Sequence, residues 1–333
     1  MNIHSRIILI ILTAVQFLAS QLLEDPRLHS LVLQGIDQTL RQDYPAAERS
    51  FQSMIAHAPA HPSGYLYLAG MLQAKNTDLG DRFDEQRYDS LLNIAEMRAR
   101  PFLQQRSTAA IGHYYIGCAE AFRSYTRSEN GNIASGVYYG LAAGGSLERC
   151  LEADPAFMEA KNILGSFYFW RSKLAWIPFV PDRSAEGIGM IEESFSHPYE
   201  KHLASHNLMV IFTEEKRYAD AERYGLIMLK EYPDNRLFLW NLMTVYEKWG
   251  RTKELTETVR RLLNSTMSAP VTNRYTEAVC RVKLAEYALA NNDTETARKE
   301  LRQVTALKRF IGTTKGNLRK KISQAQDILD SIE

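Results

Sequence analysis

Three histidines are the first candidates for chemistry. His202 and His206 stand four residues apart, and His197 lies about one turn before them. On a helix that spacing puts two imidazoles on one face, where zinc could take both. The intervening Leu203-Ala204-Ser205 lacks the glutamate that acts as base in a metalloprotease helix. The three are therefore read as surface or groove histidines, and neither a metal nor another cofactor is expected. Phosphate-loop spacing is absent, and Gly187-x-Gly189 falls inside a predicted helix with no strand before it. Gly-x-Ser-x-Gly does not occur either. Glu192-Glu193 and Glu214-Glu215 are read as helix-end or surface charges. With no nucleophile, base and acid converging on one element, the chain is not expected to be an enzyme. Cys118, Cys150 and Cys280 each lie in an apolar helical pattern, far apart in sequence. One disulfide is possible in an exported chain, but three buried small hydrophobes are the preferred reading.

The elements around these residues follow a fixed period. Leu208 and Phe212 recur 34 residues later as Leu242 and Tyr246, and Ala221 is matched by Leu255. Such a period, with large apolar residues on one helix and a small or apolar one on the next, marks an array of stacked helix hairpins. Ala47, Phe51 and Pro59 have the order of a second repeat helix. The alanine allows close approach, the aromatic fills the space below, and the proline ends the helix. Asn162-Ile-Leu-Gly-Ser-Phe-Tyr168 holds a Leu-Gly-x-x-Tyr spacing, and Tyr218-Ala-Asp-Ala221 followed by Tyr232-Pro233 repeats the second helix and its stop. On these residues the chain resembles the tetratricopeptide repeat family over most of Leu31 to Leu307. Leu284, Ala285 and Ala297 suggest a more divergent unit, shifted by 42 residues. The resemblance implies an all-α fold, a right-handed α-solenoid of about seven helix-turn-helix units.

Length and charge agree with that reading. The chain has 333 residues, 45% hydrophobic and 24% charged, long for one compact core but natural where each unit buries its face against its neighbours. A net charge of +1 gives no overall field for nucleic acid, which is not an expected partner. Residues 1–20 differ from the rest. Arg6 precedes the apolar run Ile7 to Ala19, and the chain turns polar at Gln21. This is the pattern of a secretory signal peptide, too short to span a bilayer comfortably. The expectation is an exported protein of the periplasm or cell envelope with no transmembrane span once the signal is removed. An uncleaved anchor in the inner membrane is the alternative.

Departures from the repeat are expected in three places. Residues of about 76–155 form irregular units, in which Pro101 should kink or end a helix. A later helix there carries Gly136, Gly140 and Gly144 on one face. Glycine costs about 1 kcal/mol against alanine in a helix, so close backbone contact with a neighbouring helix is the preferred account, and a ligand pressed against that face is the other. The 170–183 insertion contains two prolines and yet holds Trp170, Trp176, Ile177, Phe179 and Val180. It is expected to pack back over the array, with Trp176 and Phe179 as possible contacts for a partner or membrane surface otherwise. A final amphipathic helix at about 315–332, after a run of basic residues, is expected to cap the open end.

In the family the first helix of each hairpin lines a concave surface. Carried over residue by residue, this phase gives Asn162, Ser166 and Phe169, then His206, Val210 and Thr213, then Trp240, Thr244 and Glu247. A groove of this composition suits an extended protein or peptide segment, with Trp240 as anchor. The Lys and Asn cluster that clamps a C-terminal carboxylate in the family is not found here, which speaks against a chaperone-adaptor role. The expected function is a non-catalytic scaffold that binds a protein or peptide. The competing class is a small-molecule-binding accessory protein of a transport system, with an enclosed apolar pocket between the glycine-striped helix and the Trp176 loop.

Overall fold

A computed structural model describes residues 25–80, 84–177, 179–312 and 316–332. The N-terminal apolar run lies outside the described residues. Those residues fold into helices without a strand. Seven hairpins follow one another: α1 (Pro26–Leu40) with α2 (Tyr44–His57), α3 (Ser63–Leu79) with α4 (Glu85–Ala99), and α5 (Ala109–Glu129) with α6 (Ile133–Ala153). Then come α7 (Met158–Ser172) with α8 (Ser184–Ser194), α9 (Lys201–Glu214) with α10 (Tyr218–Glu231), α11 (Arg236–Trp249) with α12 (Thr252–Ser268), and α13 (Arg274–Ala290) with α14 (Thr294–Thr305). A last helix, α15 (Leu318–Ile332), covers the end. It buries Leu318, Ala325 and Leu329 against the last hairpin, as a cap must. The array is a tetratricopeptide-like α-solenoid.

Local chemistry sets the helix ends. Asp25, Asp43, Asp84, Asn132, Asn235, Asn273 and Asp293 each accept a hydrogen bond from a free amide of the first turn. Gly80 and Gly250 close α3 and α11 in the left-handed conformation, at φ 61° and 75°. Pro101 does end its helix, and the chain continues as a 3-10 turn over Arg100–Gln104. The last helix of the insertion region begins at Ser184, whose amide is held by the Asp182 carboxylate at 2.9 Å.

Within hairpins the helices approach through small residues. Gly165 and Gly187 face each other so closely that a Cβ on Gly165 would lie 2.5 Å from the Gly187 carbonyl oxygen. Ala47 and Ala221 are buried in the same way, while Phe51, Leu208, Phe212 and Leu242 fill the space beside them. The glycine stripe of α6 is also a packing device. Ser124 of α5 donates to the Gly136 carbonyl at 2.7 Å, and the Phe167 ring of α7 lies where a Gly144 side chain would be. All three cysteines are buried thiols.

One feature has no counterpart in the repeat pattern. The array turns far enough for its first two hairpins to touch hairpins five to seven. Arg236 at the start of α11 places its guanidinium on both carboxylate oxygens of Asp78, each at 2.6 Å. Tyr44 donates to the same carboxylate at 2.7 Å, and Asn273 donates to the Asp78 carbonyl at 3.0 Å. Nearby, Asn235 donates to the Leu40 carbonyl at 2.8 Å and Tyr232 to Asp37 at 3.1 Å. This clasp joins residues 158 to 195 positions apart in the chain. It ties the first two hairpins to the fifth, sixth and seventh.

Candidate functional site

Two regions could do something: an open strip along α9 and α11, and a polar interior beneath the first hairpins. The strip is built by the 34-residue period. Leu203 and Leu237 occupy equivalent positions, as do His206 and Trp240, Asn207 and Asn241, and Val210 and Thr244. Leu203, Leu237 and Val210 are 39%, 37% and 36% exposed. Trp240 is half-buried and leans on the Tyr275 ring, with centroids 6.3 Å apart. The Asn241 amide meets His206 Nδ1 at 2.8 Å, so a polar rung connects the two helices.

Six of the nine expected groove residues keep an accessible surface. They are Ser166, His206, Val210, Trp240, Thr244 and Glu247. Ser166 and Thr244 turn their hydroxyls back on the carbonyls four residues before them, at 3.1 Å each, and Glu247 is ion-paired with Lys283. The other three are corrected. Phe169 is wholly buried, with Lys173 over its ring at 4.6 Å and Trp170 against its edge. Thr213 is buried and donates to the Met209 carbonyl at 2.6 Å. Asn162 is buried because its amide donates to Glu200 at 2.8 Å while its oxygen accepts from Asn207 at 2.9 Å.

The insertion also departs from expectation. It does not pack back over the array: Trp176 is 79% exposed and Phe179 fully so, the latter at a positive φ of 69°. Leu174 and Trp170 are exposed too, as are Ile133, Val137, Tyr138 and Leu141 on α6.

The polar interior was not assembled by sequence reasoning, although His197 points to it. First helices of three successive hairpins supply Tyr67 (α3), Tyr115 (α5) and Glu159 (α7), and the turn before α9 adds His197, Tyr199 and Glu200. Tyr199 bonds His29 of α1, and His197 lies 3.6 Å from Glu159. Burial raises the Glu159 carboxyl to about 7, with a further push from Asp154. Burial raises Glu200 to about 8, opposed by the Asn162 bond and helped by Glu159. Burial likewise lowers His61, His197, His202 and His206 to about 4. Among the described residues no group of three or more His, Cys, Asp or Glu is arranged to hold a metal ion.

These shifts fix the sign of the pH dependence. A carboxyl raised in the fold binds more protons folded than unfolded, so stability falls as pH rises from about 4.5 to 8. An imidazole lowered in the fold binds fewer, so stability falls as pH drops from about 6.5 to 4. Denaturation midpoints measured from pH 4 to 9 are therefore expected to peak near pH 6.5. Glu200→Gln should flatten the alkaline limb and steepen the rise between about pH 4.5 and 6.5. An unchanged alkaline limb in that variant would contradict the assignment.

No family model and no curated protein matches the chain. Among solved structures it is similar to a tetratricopeptide repeat protein from Parabacteroides merdae, at 16% identity and a TM-score of 0.41, covering 91% of this chain and 100% of that one. It is also similar to the P58(IPK) TPR domain, at 11% identity and a TM-score of 0.27, covering 91% of this chain and 98% of that one.

Proposed function

We propose that this chain is a non-catalytic scaffold of the cell envelope that holds an extended protein segment along α9 and α11. The observation that carries the reading is the row of accessible residues repeated at 34, with three exposed aliphatic side chains beside Trp240. An extended segment laid across such a row meets equivalent pockets at equal intervals. Asn207 and Asn241 supply amides at the same interval. Aromatic anchors at the centre of an interface carry most of its energy, at about 2 kcal/mol or more each. Export rests on the N-terminal pattern of Arg6 and Ile7 to Ala19. No helix among the described residues is long and apolar enough to cross a membrane, so the scaffold's own helices give no reason to place it within a bilayer.

The test places a photo-crosslinking residue at Leu203 or Leu237, and at an exposed position of α10 as control, and exposes the protein to envelope extract. One adduct at both strip positions and none at the control is the expected result. The Trp240→Ala, His206→Ala double variant, matched for thermal stability, should lose the adduct at least tenfold. Equal adducts at strip and control would abandon this reading in favour of the Trp176 loop.

A further inference from the structure

Six buried polar atoms among the described residues lack a well-formed hydrogen bond, and four of them belong to the interior: Tyr67 Oη, Tyr115 Oη beside the Ser63 hydroxyl, Glu159 Oε1 and His197 Nδ1. Leaving such an atom unsatisfied costs about 1–3 kcal/mol. Four in one place ask for a common occupant. Glu159 is 1% exposed and Tyr115 is not exposed at all, so neither turns outward to bulk solvent. The phenols act on each other, and both feel the Glu159 charge.

The chemistry of that occupant follows from what the atoms offer. Both phenols are driven well above their ordinary range, so they stay neutral and can accept as well as donate. The carboxylate only accepts. The electrostatic partners of Glu159, Glu200 and His197 include no lysine or arginine. His197 is held neutral and supplies no counter-charge. Two buried acids thus share a space with no fixed cation opposite them. Three acceptors, one of them anionic, match the three N–H donors of a primary ammonium. Neutral aromatic faces around it favour a cation further.

We propose that this interior binds a small primary-amine cation, its ammonium seated on Glu159 between the hydroxyls of Tyr67 and Tyr115. An interior whose carboxylate is 1% exposed suits a small amine rather than a protein chain. Tyr67 is the one member of the trio whose residue keeps some accessible surface, although its hydroxyl is buried, and it marks the side from which a ligand enters. The groups that bear on Glu159 are Glu200 and His197 from the turn before α9, Tyr67 from α3, and Tyr114, Tyr115 and Cys118 from α5. Asp154 and Cys150 act from the end of α6. Cys118 and Cys150 are held as neutral thiols by burial, so the proton lost on binding comes from the carboxyl. The site stands independently of the strip on α9 and α11.

The experiment is calorimetric titration of the full chain with n-butylamine and phenethylamine hydrochlorides, with n-butanol as the neutral control, at pH 6 and pH 8. Amine binding about tenfold tighter at pH 8, with proton release read in two buffers of different ionisation enthalpy, is expected. Glu159→Gln should lose at least tenfold in affinity and all pH dependence while melting no lower than the parent. Tyr67→Phe should weaken binding without changing proton release, and Glu193→Gln, on the surface, should change neither. Silence of the parent towards both amines at millimolar concentration overturns the proposal, as does butanol binding equally well or Glu159→Gln binding unchanged. The cluster is then a hydrated polar core.

Discussion

Asp78→Ala is expected to cost about 3–5 kcal/mol of stability, the range for breaking a buried ion pair by removing one partner. Asp78 and Arg236 side chains are 6% and 11% exposed, so the stranded guanidinium finds little water. Tyr44 and Asn273 bond the same residue and would be loosened with it. Arg236→Ala should cost a similar amount. The double replacement Asp78→Leu, Arg236→Met should recover much of the loss, because a well-packed apolar pair removes the desolvation penalty for both charges. Urea denaturation followed by circular dichroism measures this, with limited proteolysis between α3 and α4 reporting whether the first hairpins come away. Single variants within about 1 kcal/mol of the parent would mean that the clasp is ornamental.

Phe169→Ala should lower stability by about 3–5 kcal/mol, as for large-to-small changes at buried aromatic positions. Its buried ring lies under Lys173 and beside Trp170, while its backbone nitrogen runs close against Gly187. The cavity cannot collapse easily, since Gly165 and Gly187 already bring α7 and α8 as close as backbones allow. This separates two roles that one helix phase had merged. A groove residue would lose binding and keep its melting temperature; Phe169→Ala should do the reverse. A variant that melts with the parent would restore the groove reading for this position.

What could be read from the chain is what neighbouring units decide between themselves. Leu208 and Leu242, Phe212 and Tyr246 are buried at the 34-residue spacing, because each packs within its hairpin and against the next. Pro101 acts on its own turn of chain, so the helix end it sets was legible too. The clasp was not. Asp78 and Arg236 sit 158 residues apart, and each alone looks like a surface charge on an amphipathic helix. The same blindness hid the interior, where Tyr67, Tyr115 and Glu159 come from three hairpins and share no spacing that differs from ordinary core tyrosines and helix-start acids. Asn162 was placed on the concave side by its phase, but its burial depends on Glu200 and Asn207, contributed by the next hairpin. The 170–183 loop failed for the opposite reason. Its apolar composition argued for burial, while the backbone takes a left-handed turn at Phe179 and leaves Trp176 and Phe179 exposed.

Repeat arrays ordinarily gain and lose units freely, because each unit answers only to its neighbours. Here the contact of Asp78 with Arg236 and Asn273 counts the hairpins between them. Inserting or deleting one 34-residue unit between α4 and α10 would leave every neighbour interface intact yet carry the two halves of the clasp past each other. The array is therefore fixed in length by its own circumference. Lineages of this chain should vary in loops and surfaces but not in unit number, and grafting a consensus hairpin into its middle should open the interior even where the added unit folds well.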